Sequence, residues 1–460
     1  MNRSLWSETC IIETREPLSE EHINIEVAII GAGLVGILTA YMLQTRGVEA
    51  VVLEADRIGS GVTQNTTAKI TSQHNLIYDR LIKDFGKEKA EQYARANQGA
   101  IEKYRELALE KGIVCDMVDM PAYLYTLENE NMESIRAEAE AARQLGIPAA
   151  YIEEKDLDST SWGLPFSVKA AVRFDRQAQF HPLKFLKAIA SGLTIYENTK
   201  VLDVDQDCNL ITNQGKINAK HVIFACHYPF INIPGYYFLR LHQERSYALA
   251  LSRAKDVGGM YLGVDKKSYS FRNQGDLLIL GGSGHRTGEN EDGGCYNALR
   301  QKGQEWYPDS KEVYAWSAQD CMPLDRVPYI GRYAAGRPNW YTATGFRKWG
   351  MTSSMVAAQL LTDLIMGETE ENSIFSPQRF TVPVSAGDLW KDVKTIGKGL
   401  TKVRIDQEVD TKCTHMGCQL GWNPEELTWD CPCHGSRFDN KGNVVNGPAV
   451  KNLEKVAERK

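Results

Sequence analysis

The 460-residue sequence predicts an α/β nucleotide-binding domain interleaved with an α+β part, followed by a small all-β domain at the C-terminus. Three observations carry this expectation. A strand, a glycine turn, a helix and a second strand follow one another over residues 27–54. A second strand, glycine turn and helix appear far downstream, over residues 339–367. Finally, four cysteines and two histidines crowd into residues 413–434 of a chain that has 10 cysteines and 9 histidines in all.

The first pattern begins with the buried strand VAII, continues through GAGLVG and the apolar helix ILTAYMLQTRG, and ends on the β-branched run VEAVVLEAD. This is a dinucleotide fingerprint in its proper context. Gly31 permits the tight turn, Gly33 lets backbone approach a pyrophosphate beside Ala32, and Gly36 lets helix and strand pack closely. The helix N-terminus offers free N–H groups to phosphate. Glu54, 18 residues after Gly36, is placed to accept hydrogen bonds from ribose hydroxyls.

Between the two glycine turns, residues 59–74, GSGVTQNTTAKITSQH, form a polar loop. Tyr93, Ala96, Ala100, Tyr104 and Leu107 form a helical stripe and are expected to pack. HVIFACHYPF is placed to complete the nucleotide-binding sheet, and RSYALALSR, SYSFR and DLLILGGSGHRTG alternate as strands of a second sheet. GGSGHRTG is expected to be a β turn and not a second nucleotide site, because its glycines fall out of register and no apolar helix follows. The downstream helix carries Met355, Val356, Leu360, Leu361 and Ile365 at helical spacing and starts near Gly350. Its positive end suits the negative charge that a reduced flavin carries near its pyrimidine ring.

SLW at residues 4–6, TTAK at 66–69, DRVPYIG at 325–331 and ATGFRKWGM at 343–351 together resemble FAD-dependent oxidoreductases of the D-amino acid oxidase and glycine oxidase superfamily, in a bacterial subgroup carrying a C-terminal Rieske domain. The resemblance implies a FAD-binding domain of Rossmann-like, glutathione-reductase type, an α+β substrate part whose sheet roofs the flavin, and a small all-β Rieske domain. It implies that Gly31, Gly33 and Glu54 hold the ADP part of FAD, while Thr67, Ala68 and Lys69 line the pyrophosphate and flavin. It places the backbone of Val201 at the adenine, and Gly345, Gly350, Met351 and Thr352 at the isoalloxazine. Tyr247, Arg272, His285 and Lys348 lie on the roof strands or beside the downstream flavin loop and are candidates for catalysis. His74 is a candidate for covalent flavin attachment, set aside because such attachment is rare.

After Gly367 the chain becomes charged and broken by prolines. The expected organisation is an oxidoreductase domain at 1–380, a linker at 381–398 and a C-terminal domain at 399–460. A piece of 62 residues usually needs a staple or a metal to fold. Cys413-x-His415 and Cys431-x-x-His434, separated by 15 residues, have the spacing of a Rieske [2Fe–2S] site, in which two thiolates hold one iron and two imidazoles the other. Zinc takes the same ligand set, but classical zinc fingers run Cys, Cys, His, His along the chain. Cys418 and Cys433 match the disulfide pair of Rieske proteins in respiratory cytochrome bc complexes, whereas free thiols are the base expectation in the cytosol. The six other cysteines show no pairing pattern.

With 53 basic and 59 acidic residues the net charge is −6, which suggests neither a nucleic-acid nor a polybasic membrane footprint. No window reaches the roughly 18 to 20 apolar residues of a membrane span, and the N-terminus lacks the sustained apolar run of a signal peptide. A cytoplasmic location is expected. A Rieske oxygenase is disfavoured, because His22, His74, His181, His221, His227, His242 and His285 form no compact set with a following acid for a mononuclear iron.

The leading expectation is a FAD-dependent dehydrogenase that oxidises a C–N bond of an amine or amino acid. Its electrons would pass singly through the cluster to an external protein or quinone. An electron-transfer module without a small substrate, and a peroxide-forming oxidase with a structural cluster, stand as alternatives. Ser436 is placed to donate toward the cluster, but Phe438 stands where the respiratory proteins have a tyrosine donor. A midpoint potential below that of the respiratory proteins is therefore predicted, and a potentiometric titration giving a value as high as theirs would refute it.

Overall fold

The computed structural model describes residues 3–19, 22–156, 162–369, 372–379 and 409–455. The expected linker lies outside the described residues. The nucleotide-binding sheet runs in the order Tyr329–Ala334, Arg337–Thr344, Lys216–Phe224, His22–Ile30, Ala50–Leu53, Thr194–Tyr196. Its central strands are parallel, Ile29 pairing with Ile223 on one side and with Val52 on the other. Such strands are covered on both faces and carry continuous apolar runs. Val27, Ala28, Ile29 and Ile30 are accordingly all buried.

Helices Leu34–Thr45 and Gly350–Met366 pack against each other beside this sheet, so the two glycine turns separated by three hundred residues of sequence become neighbours. The downstream helix starts at Gly350, as its spacing predicts, and buries Met355, Val356 and Leu361. The stripe on helix Lys87–Glu110 also packs: Tyr93, Ala100, Tyr104 and Leu107 are buried.

The second sheet has nine strands, in the order Lys311–Pro323, Leu241–Ser252, Leu277–Arg286, Ser270–Gln274, Met260–Gly263, Val118–Thr126, Ala170–Gln179, Lys69–Ile70, with Ala149–Glu153 paired to Ala170–Gln179. Here the glycine run departs from expectation. Residues 281–286 continue a strand and do not turn: Gly282 lies opposite Tyr247, and His285 opposite Arg245, across a bulge. The glycines make room, since a Cβ at Gly282 would lie 2.9 Å from the Tyr269 ring and 3.3 Å from Leu299. Ser283, at φ 54°, absorbs the local kink.

The C-terminal domain is a four-stranded antiparallel meander, Gly421–Asn423, Thr428–Asp430, Arg437–Asp439 and Val444–Asn446, over a small core that includes Val409, Leu420, Phe438, Ala449 and Leu453. It packs directly on the nine-stranded sheet: a Cβ at Gly288 would come within 2.5 Å of Pro432 N, and one at Gly421 within 2.8 Å of Gly288 O. Among the described residues no helix is long and apolar enough to cross a membrane.

Gly36 shows how tightly the first turn is built, because a Cβ there would lie 1.9 Å from Gly31 O. Gly36→Ala is expected to destabilise the protein by about 1–3 kcal/mol through overpacking. Loss of bound flavin absorbance per protein and a lowered Tm would record it.

Candidate functional site

The first glycine turn opens onto a cavity of about 1920 Å³ whose walls include Gly31, Gly33, Glu54, Thr67, Lys69, Val201, Gly345, Gly350 and Met351. Both segments that resemble FAD-binding ends therefore border one space, well above the roughly 300–1,000 Å³ of an ordinary small-ligand pocket. Gly31, at φ +108°, donates its N–H to Leu53 O at 2.8 Å, and a Cβ there would meet Ala225 O at 2.7 Å. Glu54 accepts from Ala32 N at 2.7 Å and Asp56 N at 2.9 Å. Burial pushes its carboxyl pKa up, against the pull of those two N–H groups.

Four of the candidates stand behind the wall. Ala32 is buried and holds Glu54, and Gly36 lies in the helix–turn contact. Ala68 is buried in the left-handed region at φ 53°. Thr352 bonds Thr71 O at 3.1 Å and His74 Nε2 at 3.0 Å. His74 itself is fully buried, with Nδ1 on Tyr93 Oη at 2.6 Å and its ring stacked on Trp349. Burial lowers its pKa to about 3, which makes it a neutral packing residue.

Of the four candidates for catalysis, Tyr247, His285 and Lys348 line the cavity. His285 Nδ1 meets Arg286 O at 2.8 Å, which fixes the proton there and leaves Nε2 to accept from Tyr247 Oη at 3.0 Å. Burial lowers the His285 pKa, so the ring is neutral. Burial works against the Lys348 ammonium too, but Asp320 at 3.2 Å and Glu244 at 3.7 Å outweigh it and raise its pKa. Glu244 is driven down to about 2 despite burial, by His242 and Lys348.

Arg272 does not reach the cavity. Its guanidinium donates to Thr67 O at 3.0 Å and Ala68 O at 2.7 Å, and so it holds the TTAK loop from behind. Burial, with Arg272 nearby, lowers the pKa of Lys69 to about 7.

The sequence reading missed Glu244, Asp320 and Arg347, which share this wall. Strand alternation held a signal for the first two, since each sits among cavity-facing residues two apart. Arg347, at φ 54°, has Nε and one terminal nitrogen buried without a hydrogen-bond partner among the described residues. Its guanidinium is a ready donor pair for an anionic ligand group.

The two loops of the C-terminal domain have matching geometry. Gly417 N donates to Cys413 O at 2.8 Å and Gly435 N to Cys431 O at 2.9 Å, and both glycines have φ near +80°, at +78° and +80°. Cys418 and Cys433 form a disulfide. That leaves the buried thiols of Cys413 and Cys431 and the imidazoles of His415 and His434, whose ring centroids are 5.0 Å apart. His415 Nε2 faces Asn232 Oδ1 at 2.7 Å and must carry the proton, while its Nδ1 is buried without a partner among the described residues. A buried, unprotonated Nδ1 in a domain that also buries two free thiols fits iron ligation in a Rieske cluster. Ser436 lies against the Cys413 thiol, and its hydroxyl accepts from Ala449 N at 3.0 Å.

The cluster domain also supplies part of the cavity wall, through residues 444–450. It is held by Lys200 Nζ on Val450 O at 2.9 Å, by Arg286 Nε on Pro432 O at 3.0 Å, and by the ion pair of Arg245 with Glu426 at 3.1 Å.

Comparison with known proteins agrees with this construction. Residues 26–364 match the model of the FAD dependent oxidoreductase family, and residues 387–457 match that of the Rieske [2Fe-2S] domain. The Rieske match thus begins within the stretch expected to be linker. The chain is 37% identical to YhfW of Bacillus subtilis, named for a Rieske 2Fe-2S iron-sulfur centre, over 96% of this chain and 95% of that one. Its C-terminal part is 52% identical over 59 residues to cytochrome b6-f complex iron-sulfur subunit 2 of Trichormus variabilis, covering 12% of this chain and 33% of that one. Glycine oxidase from Geobacillus kaustophilus has the same fold at a TM-score of 0.65 and 18% identity, covering 78% of this chain and 99% of that one. A two-ended dinucleotide cavity roofed by a mixed sheet, with a Cys2His2 cluster domain docked on it, defines a flavin and iron–sulfur oxidoreductase. The chain belongs to the FAD-dependent oxidoreductase family, with a C-terminal Rieske domain, and its cofactors are FAD and a Rieske [2Fe–2S] cluster.

The Arg245 side chain is only 2% exposed and that of Glu426 17%. Glu426→Ala leaves a buried guanidinium without its main counter-charge and is expected to cost about 3 kcal/mol. A fall in the thermal or denaturant midpoint would measure it.

Proposed function

We propose that the protein is a dehydrogenase for the C–N bond of an amine or amino acid, passing electrons one at a time through its cluster to an external acceptor. The observation that carries this reading is the shared wall: residues 444–450 of the cluster domain border the same cavity as the flavin-loop residues Gly345 and Gly350. Bound FAD supplies a two-electron acceptor, whereas a [2Fe–2S] cluster takes one electron. A domain built so close to the cavity favours a relay over a purely structural cluster.

Gly31, Gly33, Glu54 and Val201 would hold the adenosine end, and Thr67, Lys69, Gly345, Gly350 and Met351 the flavin end. On the charged wall, Lys348 and Arg347 suit a substrate carboxylate, and Glu244 with Asp320 suits a substrate ammonium. The neutral His285–Tyr247 pair is placed to move a proton between His285 Nε2 and the substrate side of the cavity. Arg272 acts by holding the TTAK loop. This wall of opposed charges supports a small polar substrate over an electron-transfer module with a closed pocket. The acceptor would be a protein or a quinone.

The test is anaerobic. Amines, N-methyl amino acids and amino acids are mixed with the holoprotein while flavin and cluster absorbance are followed together. Flavin bleaching followed by cluster reduction is expected with at least one class. His434→Ala should keep the first phase and lose the second. Bleaching by no compound, with the cluster reduced only by a protein donor, would overturn the reading in favour of the electron-transfer module.

A further inference from the structure

Strands Leu241–Ser252 and Lys311–Pro323 pair along their length and present two different faces. His242, Glu244 and Asp320 line the cavity. Between them, Gln243 and Gln319 point the other way, 2% and 5% exposed, into the cluster domain.

Gln319 Nε2 donates to Gln243 Oε1 at 2.7 Å and to Gly435 O at 2.7 Å. Gln243 Nε2 donates to His434 O at 2.7 Å and to Gly447 O at 3.2 Å. All four amide protons are thereby engaged, and flipping either carboxamide would break the set. Contact is close as well, since a Cβ at Gly435 would lie 2.6 Å from Gln243 Cβ. Three carbonyls are captured: that of a cluster-ligand residue, that of its neighbour, and that of a residue on the loop which itself borders the cavity.

We propose that Gln243 and Gln319 are positioning residues for electron transfer, fixing the His434 loop against the back of the cavity wall so that electrons cross this strand pair to the cluster. The inference rests on the relay proposed above and adds its route. Each crossing moves one electron from reduced FAD to the oxidised cluster. The pair taken from a substrate clears in two crossings, each followed by transfer to an external one-electron acceptor. Arg245 belongs to the same set, since its Nη1 donates to Gln319 Oε1 at 3.3 Å. Glu425, by contrast, docks the domain elsewhere, its carboxylate accepting from Gly294 N and, at 3.3 Å, from Tyr296 N.

The test uses full-length holoprotein and needs no substrate. FAD is photoreduced anaerobically by a light flash in the presence of EDTA, and cluster reduction is followed by visible absorbance, with the cluster EPR spectrum and midpoint potential recorded separately. Gln243→Leu and Gln319→Leu are each expected to slow flavin-to-cluster transfer by roughly tenfold or more, the scale on which small misplacements act. The double variant should fall little further, because the two act as one unit. Glu425→Ala should leave the rate unchanged although it removes a docking contact. Gln243→Glu keeps the bond from Gln319 and withdraws only the donors to His434 and Gly447. It should slow transfer too, and it replaces Gln243→Leu should that variant lose its cluster.

Native transfer rates in the glutamine variants, or equal slowing by Glu425→Ala, would overturn the proposal. Absence of flavin-to-cluster transfer in the unaltered protein would instead overturn the relay itself.

Discussion

Successive side chains of a β-strand point to opposite faces, and the arrangement of this molecule depends on that alternation in one strand pair. Leu241–Ser252 and Lys311–Pro323 are at once the charged inner wall of the flavin cavity and the platform on which the cluster domain rests. Had this pair been covered by helices, as the first sheet is, the two cofactor sites would be separated by a helical layer roughly 10 Å thick. Here the cavity and the cluster domain share this strand pair as a common wall.

The same economy governs the charges. Lys348, Asp320 and Glu244 sit together on the cavity side, where each offsets the desolvation of the next. Arg245, Glu426, Asp430 and Arg437 do so on the other side of the sheet, with Arg437 Nε on Asp430 at 3.1 Å. Buried ions are tolerated only with partners, so each face carries its own nearly balanced set. Arg347 departs from this on the cavity side, its Nε and one terminal nitrogen having no hydrogen-bond partner among the described residues.

What was legible in the sequence was what chemistry or backbone geometry dictates locally. Gly31 and Gly36 announce a turn that only glycine can make, and the Cys-x-His and Cys-x-x-His pairs announce their metal by ligand type and order. Parallel strands such as VAII announce themselves by being apolar on both faces. Long-range complementarity was not legible. GGSGHR looked like a turn because glycine favours turns, while its glycines in fact answer the bulk of Tyr269 and Leu299, elements distant in the chain. Arg272 looked like a cavity residue because it lies on a roof strand, but its side chain takes the face toward Thr67 and Ala68. Gln243 and Gln319 carry no motif at all, since their role appears only when His434 and Gly435 are set beside them.

His415 offers a last consequence. Its outer nitrogen, the edge through which a ligand imidazole can meet another molecule, is occupied by Asn232 of the same chain. An external partner therefore cannot grip that nitrogen without displacing an internal group already held at hydrogen-bonding distance and at the high effective concentration that one covalent chain provides. The contact makes this face of the cluster domain an internal joint. In the relay proposed above, an external acceptor would meet some other part of the cluster domain, and its rate could be tuned without touching the joint.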